Sequence, residues 1–336
     1  MSEKIDKKVV VLGTGGTIAG TAADARDGIG YTAAQLGVGQ LLAAIPALGH
    51  LLDDSNCELI SEQVAQLDSK DMSFAVWQAL LARTAHWLAQ PQVQGVVITH
   101  GTDTLEETAF FLHHALPAAL AGNKPVVLTC AMRPATALNA DGPQNLLDAI
   151  CVALWPEASG VVAVCAGTVH SAIDVQKTHT YRLDAFSSGD AGPVAYVEEG
   201  AVRLLRRWPL APASATQVQF DAIQAAQTWP RVEILMSHAG ANGQLVEALM
   251  AQRDAGTPLR ETLRGIVVAG TGNGSLHHAL EAALVQAQSR GIAVRRTTRC
   301  ASGRVLAVPG AAIADISPVS PVKARIALML ELMTSA

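Results

Sequence analysis

The run Val9-Val10-Val11-Leu12-Gly13-Thr14-Gly15-Gly16-Thr17-Ile18-Ala19-Gly20 constrains the fold more than any other stretch of this chain. Four apolar residues enter a turn built on Gly13, Gly15 and Gly16, the pattern of a buried strand followed by a sharp change of direction. Glycines let backbone amides approach a ligand closely, and Thr17 puts a hydroxyl at that opening. Two uses of such a loop compete: a dinucleotide cradle at a first βα turn, or a loop presenting Thr17 as a nucleophile. The cradle fits less well. Its Gly-x-Gly-x-x-Gly spacing takes Gly13 and Gly15, but Ile18 stands where a third glycine should let helix and strand pack.

Short, wholly apolar runs recur and alternate with helical patterns. Strands are expected at Lys8–Leu12, Cys57–Ile60, Gly95–Thr99, Pro125–Thr129 and Gly160–Cys165, with helices near Ala33–Ile45, Asp71–Ala89, Leu105–Leu116 and Asn139–Leu154. Strands apolar on both faces suit a parallel sheet covered by helices on both sides. Thr168–Pro193 reads as loop-dense, with a further strand at Val194–Val197. Arg206–Pro230 loses its period around Trp208-Pro209 and Pro212 and reads as a linker with a little local helix. Beyond it come strands at Arg231–Met236, Gly265–Ala269 and Ile292–Arg295, and helices at Gln244–Ala255, Leu276–Arg290 and near Val322–Met333. The 336 residues are therefore expected to form an α/β protein of two domains. A larger N-terminal domain (1–205) carries a mostly parallel sheet covered by helices, a linker follows at 206–230, and a smaller C-terminal α/β domain closes the chain (231–336).

Composition excludes some partners. Half the residues are hydrophobic and 16% charged, thin for the surface of a soluble monomer, so a substantial buried subunit interface is expected. A net charge of −5 without a basic cluster argues against nucleic acid. The charged start, Met1 to Lys8, lacks the apolar core of a secretion signal, and no apolar run approaches the roughly 20 residues that span a bilayer. The expectation is a cytoplasmic protein with no membrane partner, or a periplasmic one had a signal been removed. Cys57, Cys130, Cys151, Cys165 and Cys300 are odd in number and form no Cys-x-x-Cys pair, and four of them sit in apolar sequence as small buried hydrophobes would. The pairs His113-His114 and His277-His278 have no zinc-site spacing.

In such sheets ligands bind at the carboxyl ends of the strands. Thr17, Ser69-Lys70-Asp71, His100-Gly101-Thr102-Asp103-Thr104 and Ala131-Met132-Arg133-Pro134 each follow a strand and should converge. Taken alone, Thr102 and Asp103 are ordinary helix caps, with Glu106 completing a capping box. Taken with Thr17 and Lys177 they make a catalytic set. A threonine hydroxyl needs a base, a neutral lysine amine can be that base, an aspartate can orient it, and glycine-rich turns can hold an oxyanion. Lys177 lies in an irregular polar stretch, Asp174-Val175-Gln176-Lys177-Thr178, where a solvated surface lysine is equally at home. Tyr31 follows Gly28-Ile29-Gly30 and suits packing or catalysis. The segment from Gly20 to Tyr31, with Asp24, Asp27, Gly28 and Gly30, has the composition of a mobile loop.

Thr14-Gly15-Gly16-Thr17-Ile18-Ala19-Gly20 and His100-Gly101-Thr102-Asp103-Thr104 resemble the two signature motifs of the bacterial-type L-asparaginases. The resemblance continues in order through Ser69-Lys70-Asp71-Met72, Ala131-Met132-Arg133-Pro134, Asp141-Gly142-Pro143, Asp174–Thr178, Gly272-Asn273-Gly274 and Lys323-Ala324-Arg325, almost the whole chain. It implies hydrolysis of L-asparagine to L-aspartate and ammonia through a threonine acyl-enzyme, with no metal or organic cofactor. Carried over, Thr17 is the nucleophile, Tyr31 the mobile-loop tyrosine, and Thr102, Asp103 and Lys177 the second catalytic group. Asp103 also binds the substrate α-amino group and Ser69 its α-carboxylate, and the backbone of Thr102 and Ala131 contacts the reacting amide. Asn273 matches a substrate-binding asparagine supplied by a neighbouring subunit, which implies a homo-oligomer, commonly a tetramer of dimers with shared active sites.

Two departures mark this chain. Secreted members usually have glutamine where Lys70 stands, and a lysine there either strengthens carboxylate binding or crowds the pocket. They also carry a partner-subunit glutamate after an element matching Arg299–Gly303, but Arg304–Pro318 is mostly apolar and offers only Asp315, which is left without a role. The resemblance also admits an amidase subunit of a tRNA-dependent amidotransferase, or a non-enzymatic amino-acid sensor on the same fold.

Overall fold

A computed structural model describes residues 7–121, 124–254 and 262–334. The chain divides into two compact units, Met1–Gln217 and Val218–Ala336.

The first unit opens with β1 (Lys7–Gly15), α1 (Val38–Ala43), α2 (Ala47–Ser55), β2 (Cys57–Leu67), α3 (Phe74–Leu88), β3 (Val93–Thr99), α4 (Leu105–Ala115) and α5 (Ala118–Ala121). It continues through β4 (Pro125–Thr129), α6 (Gly142–Leu154), β5 (Gly160–Cys165), β6 (Thr168–Ser171), β7 (Gln176–Lys177), β8 (Phe186–Ser187), β9 (Ala195–Glu198) and β10 (Ala201–Leu204). Eight strands form one sheet in the order β10-β9-β6-β5-β4-β3-β1-β2. From β2 to β5 neighbours run parallel, and the pairs β5–β6, β6–β9 and β9–β10 are antiparallel. Val9 to Leu12 are fully buried, as a central strand covered on both faces requires. The chain leaves β1 towards β2 and returns on the other side as β3, so strand order reverses between β1 and β3. A ligand crevice opens at such a reversal.

Three local differences from the sequence reading have physical causes. The helix expected at Ala33–Ile45 shrinks to α1, because Ala34, Gln35 and Leu36 give their amides to the carbonyls of Gly16 and Ala19 instead. β2 runs on past Ile60 to Leu67, since an edge strand needs only one buried face and tolerates Ser61, Glu62 and Gln63. The loop-dense stretch holds three short strands. β6 joins β5 through a two-residue hairpin at Ala166-Gly167, whose φ angles of 49° and 71° match a type I′ turn, and β7 pairs with β8. Lys177 therefore sits on a strand rather than in an irregular loop.

The second unit holds α7 (from Gln217 to Ala225), β11 (Arg231–Met236), α8 (Gln244–Asp254), β12 (Leu263–Gly270), α9 (His278–Ser289), β13 (Ala293–Thr298) and α10 (Pro321–Thr334). Its three strands form a parallel sheet, β11-β12-β13. Val246, Ile266, Val268, Leu284 and Ile313 lie in its core. The stretch expected as linker contains α7.

Candidate active site

Two glycines let three loops meet above the carboxyl ends of β1, β2 and β3. Gly16 has a φ of 83°, and a side chain on it would run into the backbone of Gly101. A Cβ on Gly101 would lie 2.5 Å from Ser69 Oγ. The Thr17, Thr102 and Ser69 loops are thus in direct contact, as their positions after successive strands led one to expect.

Thr17 opens a single 3-10 turn and is nearly buried. Its Oγ1 lies 2.6 Å from the Tyr31 hydroxyl. Tyr31 returns to Thr17 because the intervening loop is closed at its neck by reciprocal 2.9 Å hydrogen bonds between the backbones of Thr21 and Thr32. The loop rests on the segment after β4. Ala22 N donates to Thr136 Oγ1 at 2.8 Å, Ala135 N to Gly20 O at 2.9 Å, and Leu138 N to Ala25 O at 3.2 Å. Arg133 supports it from below, its guanidinium 4.0 Å from the Tyr181 ring centroid, with both side chains facing Gly28.

The second group is compact. Lys177 Nζ donates to Thr102 Oγ1 at 2.8 Å and to Asp103 Oδ1 at 2.6 Å. The capping reading of Asp103 fails: α4 is capped at Thr104 without a side-chain bond, and the Asp103 carboxylate takes Lys177 instead. Ser69 is buried, its Oγ accepts from Asp103 N at 3.2 Å, and its carbonyl accepts from Thr104 Oγ1 at 2.8 Å. Ser69 thereby fixes the backbone that carries Asp103.

Lys70 and Asn273 are placed differently from what a substrate contact alone would ask. Lys70 Nζ pairs with Asp68 Oδ2 at 2.7 Å, and its side chain is exposed. The Asp68 carboxylate beside it raises its pKa above the ordinary lysine value. Asn273, in the second unit, exchanges hydrogen bonds with the Leu306 backbone: Leu306 N donates to Oδ1 at 2.7 Å, and Nδ2 donates to Leu306 O at 3.2 Å. Asp315 is held by Arg295 at 3.1 Å. Ala131 is buried just beyond β4. Among the described residues, no three His, Cys, Asp or Glu side chains cluster so as to hold a metal ion.

Sequence reasoning missed the supports beneath these groups. Asp141 uses its two carboxylate oxygens to hold Met132 N and Arg133 N, each at 2.9 Å. Asn145 donates from Nδ2 to Cys130 O at 2.9 Å and accepts at Oδ1 from Ala166 N at 2.9 Å. An asparagine on the buried face of an apolar helix was the available signal. His100 is fully buried between Gly101 O (2.7 Å from Nδ1) and Thr108 Oγ1 (2.8 Å from Nε2). A carbonyl only accepts, so Nδ1 carries the proton and Nε2 accepts from Thr108, whose oxygen takes the Trp77 indole N–H at 2.9 Å. Burial lowers the His100 pKa to about 4, so the ring is neutral.

Comparison with known proteins places this geometry. The family model described as asparaginase, N-terminal, matches residues 8–210, and the glutaminase/asparaginase C-terminal domain matches residues 231–335. The chain is 34% identical over 337 residues to L-asparaginase 2 of Bacillus subtilis (strain 168), covering 98% of this chain and 84% of that protein. It is 35% identical over 299 residues to the glutaminase-asparaginase of Pseudomonas fluorescens biotype A, covering 88% and 76%. The solved structure of a probable cytoplasmic L-asparaginase from Campylobacter jejuni superposes with a TM-score of 0.85 at 34% identity, covering 97% of this chain and 95% of that one. Matched through both parts of its length and aligned almost end to end with these relatives, the chain belongs to the bacterial-type L-asparaginase family.

Proposed function

We propose that this protein hydrolyses L-asparagine to L-aspartate and ammonia through an acyl-enzyme on Thr17, with lesser activity on L-glutamine. One arrangement carries the reading: a Thr17–Tyr31 pair 2.6 Å apart and a Thr102–Lys177–Asp103 group, on loops that touch at Gly16 and Gly101. Thr17 Oγ1 attacks the side-chain amide carbon as its proton passes to the Tyr31 oxygen, which releases its own proton towards the amide nitrogen. Amides of the glycine-rich turns, the backbone of Thr102 and Ala131 among them, face the oxygen on which charge develops. The C–N bond then breaks, the nitrogen takes a proton and leaves as ammonia, and the acyl group stays on Thr17. Water next attacks the acyl carbon and restores the Thr17 hydroxyl. A neutral Lys177 amine takes the Thr102 proton along the same 2.8 Å line, so this group can activate that water.

Asp103, half exposed beside the crevice, is suited to the substrate's α-amino group, and Ser69 and Lys70 to its α-carboxylate. Asn273 would complete the site of a neighbouring subunit. The low charged fraction of 16%, with Met236, Leu245, Leu306 and Val308 exposed in the second unit, supports a homo-oligomer, which we read as a tetramer of such dimers. Among the described residues no helix is long and apolar enough to cross a membrane, and a cytoplasmic location accords with the name of the Campylobacter jejuni relative.

Ammonia release from L-asparagine and L-glutamine tests the reading in the parent, Thr17→Ala and Lys177→Met proteins. Loss of either group should cost on the order of 10³-fold or more, because such groups act as a unit. Activity surviving both changes near the parent level would overturn it.

A further inference from the structure

Cys130 and Cys165 stand side by side under the site. Cys130 follows the last residue of β4, Cys165 ends β5, and the register Thr129↔Val164 makes them neighbours on adjacent parallel strands. Their sulfurs are 3.4 Å apart, and both residues are buried. Adjacent strands lie about 4.8 Å apart, inside the range of about 4.4–6.8 Å between the Cα atoms of disulfide-bonded cysteines. We propose that Cys130 and Cys165 form a peroxide-oxidisable thiol pair whose disulfide lowers the activity of the adjoining site.

The strand ends are tied together so that movement of the sulfurs is passed on. Asn145 holds Cys130 O and Ala166 N with one side chain, and Thr129 Oγ1 reaches Val164 O at 2.9 Å. Drawing the sulfurs from 3.4 Å to the bonded distance of about 2.05 Å pulls on both ends of that clamp. On one side lies Ala131, followed by Met132 and Arg133 on the Asp141 carboxylate. On the other lies Ala166, a non-glycine residue already at a φ of 49°. The facing Cys165 thiol and burial raise the Cys130 pKa well above the ordinary range, so the pair rests as thiols and its oxidation is slow, set by the small thiolate fraction.

The chemistry balances with hydrogen peroxide as oxidant. One sulfur attacks a peroxide oxygen, the O–O bond breaks, and a sulfenic acid and water form. The second sulfur then displaces that hydroxyl as water. Two S–H bonds and one O–O bond are lost, one S–S and two O–H bonds are gained, and peroxide is reduced to two waters.

The effect on activity rests on the asparaginase reading, and the bond itself does not. The test treats the folded protein with hydrogen peroxide and reads two quantities. Peptide mapping should find residues 130 and 165 in one cross-linked species, lighter by two hydrogens. Ammonia release from L-asparagine should fall about tenfold or more, as small displacements at a reacting centre do, and return on adding dithiothreitol. The same loss must be absent from Cys165→Ala, which keeps Cys57 and Cys300 as controls for oxidation elsewhere. No cross-link in the parent overturns the site. A cross-link with unchanged activity, or equal loss in Cys165→Ala, overturns the coupling. A parent inactive before treatment defeats the asparaginase reading instead, and mapping still decides the bond.

Discussion

The hydroxyls of Thr17 and Tyr31 meet at 2.6 Å although they lie on opposite ends of a loop that leaves β1 and returns only at the Thr21–Thr32 bridge. The resemblance to secreted asparaginases implies a partner-subunit glutamate in the segment after Arg299–Gly303. Here the one carboxylate of the corresponding segment, Asp315, is held by Arg295. Within this chain Tyr31 therefore faces Thr17 without a charged neighbour of that origin, and its contribution can be read by deleting one oxygen.

Tyr31→Phe keeps the ring that packs on Gly20 and removes the hydroxyl that we propose relays the Thr17 proton. We expect kcat to fall by about 10²–10⁴, the range for loss of a positioned proton-transfer group, with KM for L-asparagine nearly unchanged. Steady-state kinetics checks this. A KM effect with parental kcat would instead make Tyr31 a binding residue.

Much of this arrangement was legible before the structure. Val9–Gly20 declared strand, turn and hydroxyl because an all-apolar run has one environment in an α/β sheet, and Gly16 admits no side chain against Gly101. What escaped was set by tertiary pairing. β6, β7 and β8 are two to four residues long and have too little period to read, so the strand that carries Lys177 looks like a loop in the sequence. Asn145 and Asp141 act on backbone atoms 8 to 21 residues away in the chain, which no helical or strand period reports. Of the five cysteines, Cys130, Cys151 and Cys165 are buried, Cys57 is half-buried and Cys300 is exposed, one fewer buried than the apolar sequence around four of them suggests. That two of them face each other depends on strand register.

Lys70 offers a test of the position where the resemblance implies glutamine in secreted members. Its ammonium rests on Asp68 in solvent, an exposed pair that contributes little to folding. Lys70→Gln should leave the thermal midpoint unchanged and raise KM for L-asparagine several-fold, because a cation beside Ser69 attracts the α-carboxylate. Added salt should narrow the difference, since screening acts on exposed charges. Equal KM values at low salt would remove Lys70 from the binding set.

Asn145→Leu should behave as a folding variant. It leaves Cys130 O buried without its partner, an orphan that costs about 1–3 kcal/mol, whereas Ala166 is exposed and its amide can turn to water. Denaturant melts should show a loss of about 1–3 kcal/mol, with the slope of the transition preserved. A melt coincident with the parent's would mean the two strand ends are held by Thr129 alone.

Acid sensitivity follows from two buried histidines. Burial lowers His100 from 6.5 to about 4 and His113 from 6.5 to about 3, the latter helped by the neighbouring His114. Below pH 6.5 the unfolded chain takes up these protons while the folded one does not, so stability is fully present above 6.5 and is lost as pH falls towards the folded values. Each pH step in that window is worth about 1.4 kcal/mol per histidine, which gives about 3 kcal/mol from His100 alone. The two sites differ in what substitution leaves behind. His100 holds Gly101 O and Thr108, whereas His113 Nε2 is buried with no hydrogen-bond partner among the described residues. His113→Leu should therefore keep or raise stability at pH 7 and flatten its decline between 6.5 and 4, as measured by denaturant melts across that range. A decline as steep as the parent's would place the acid lability in groups other than His113.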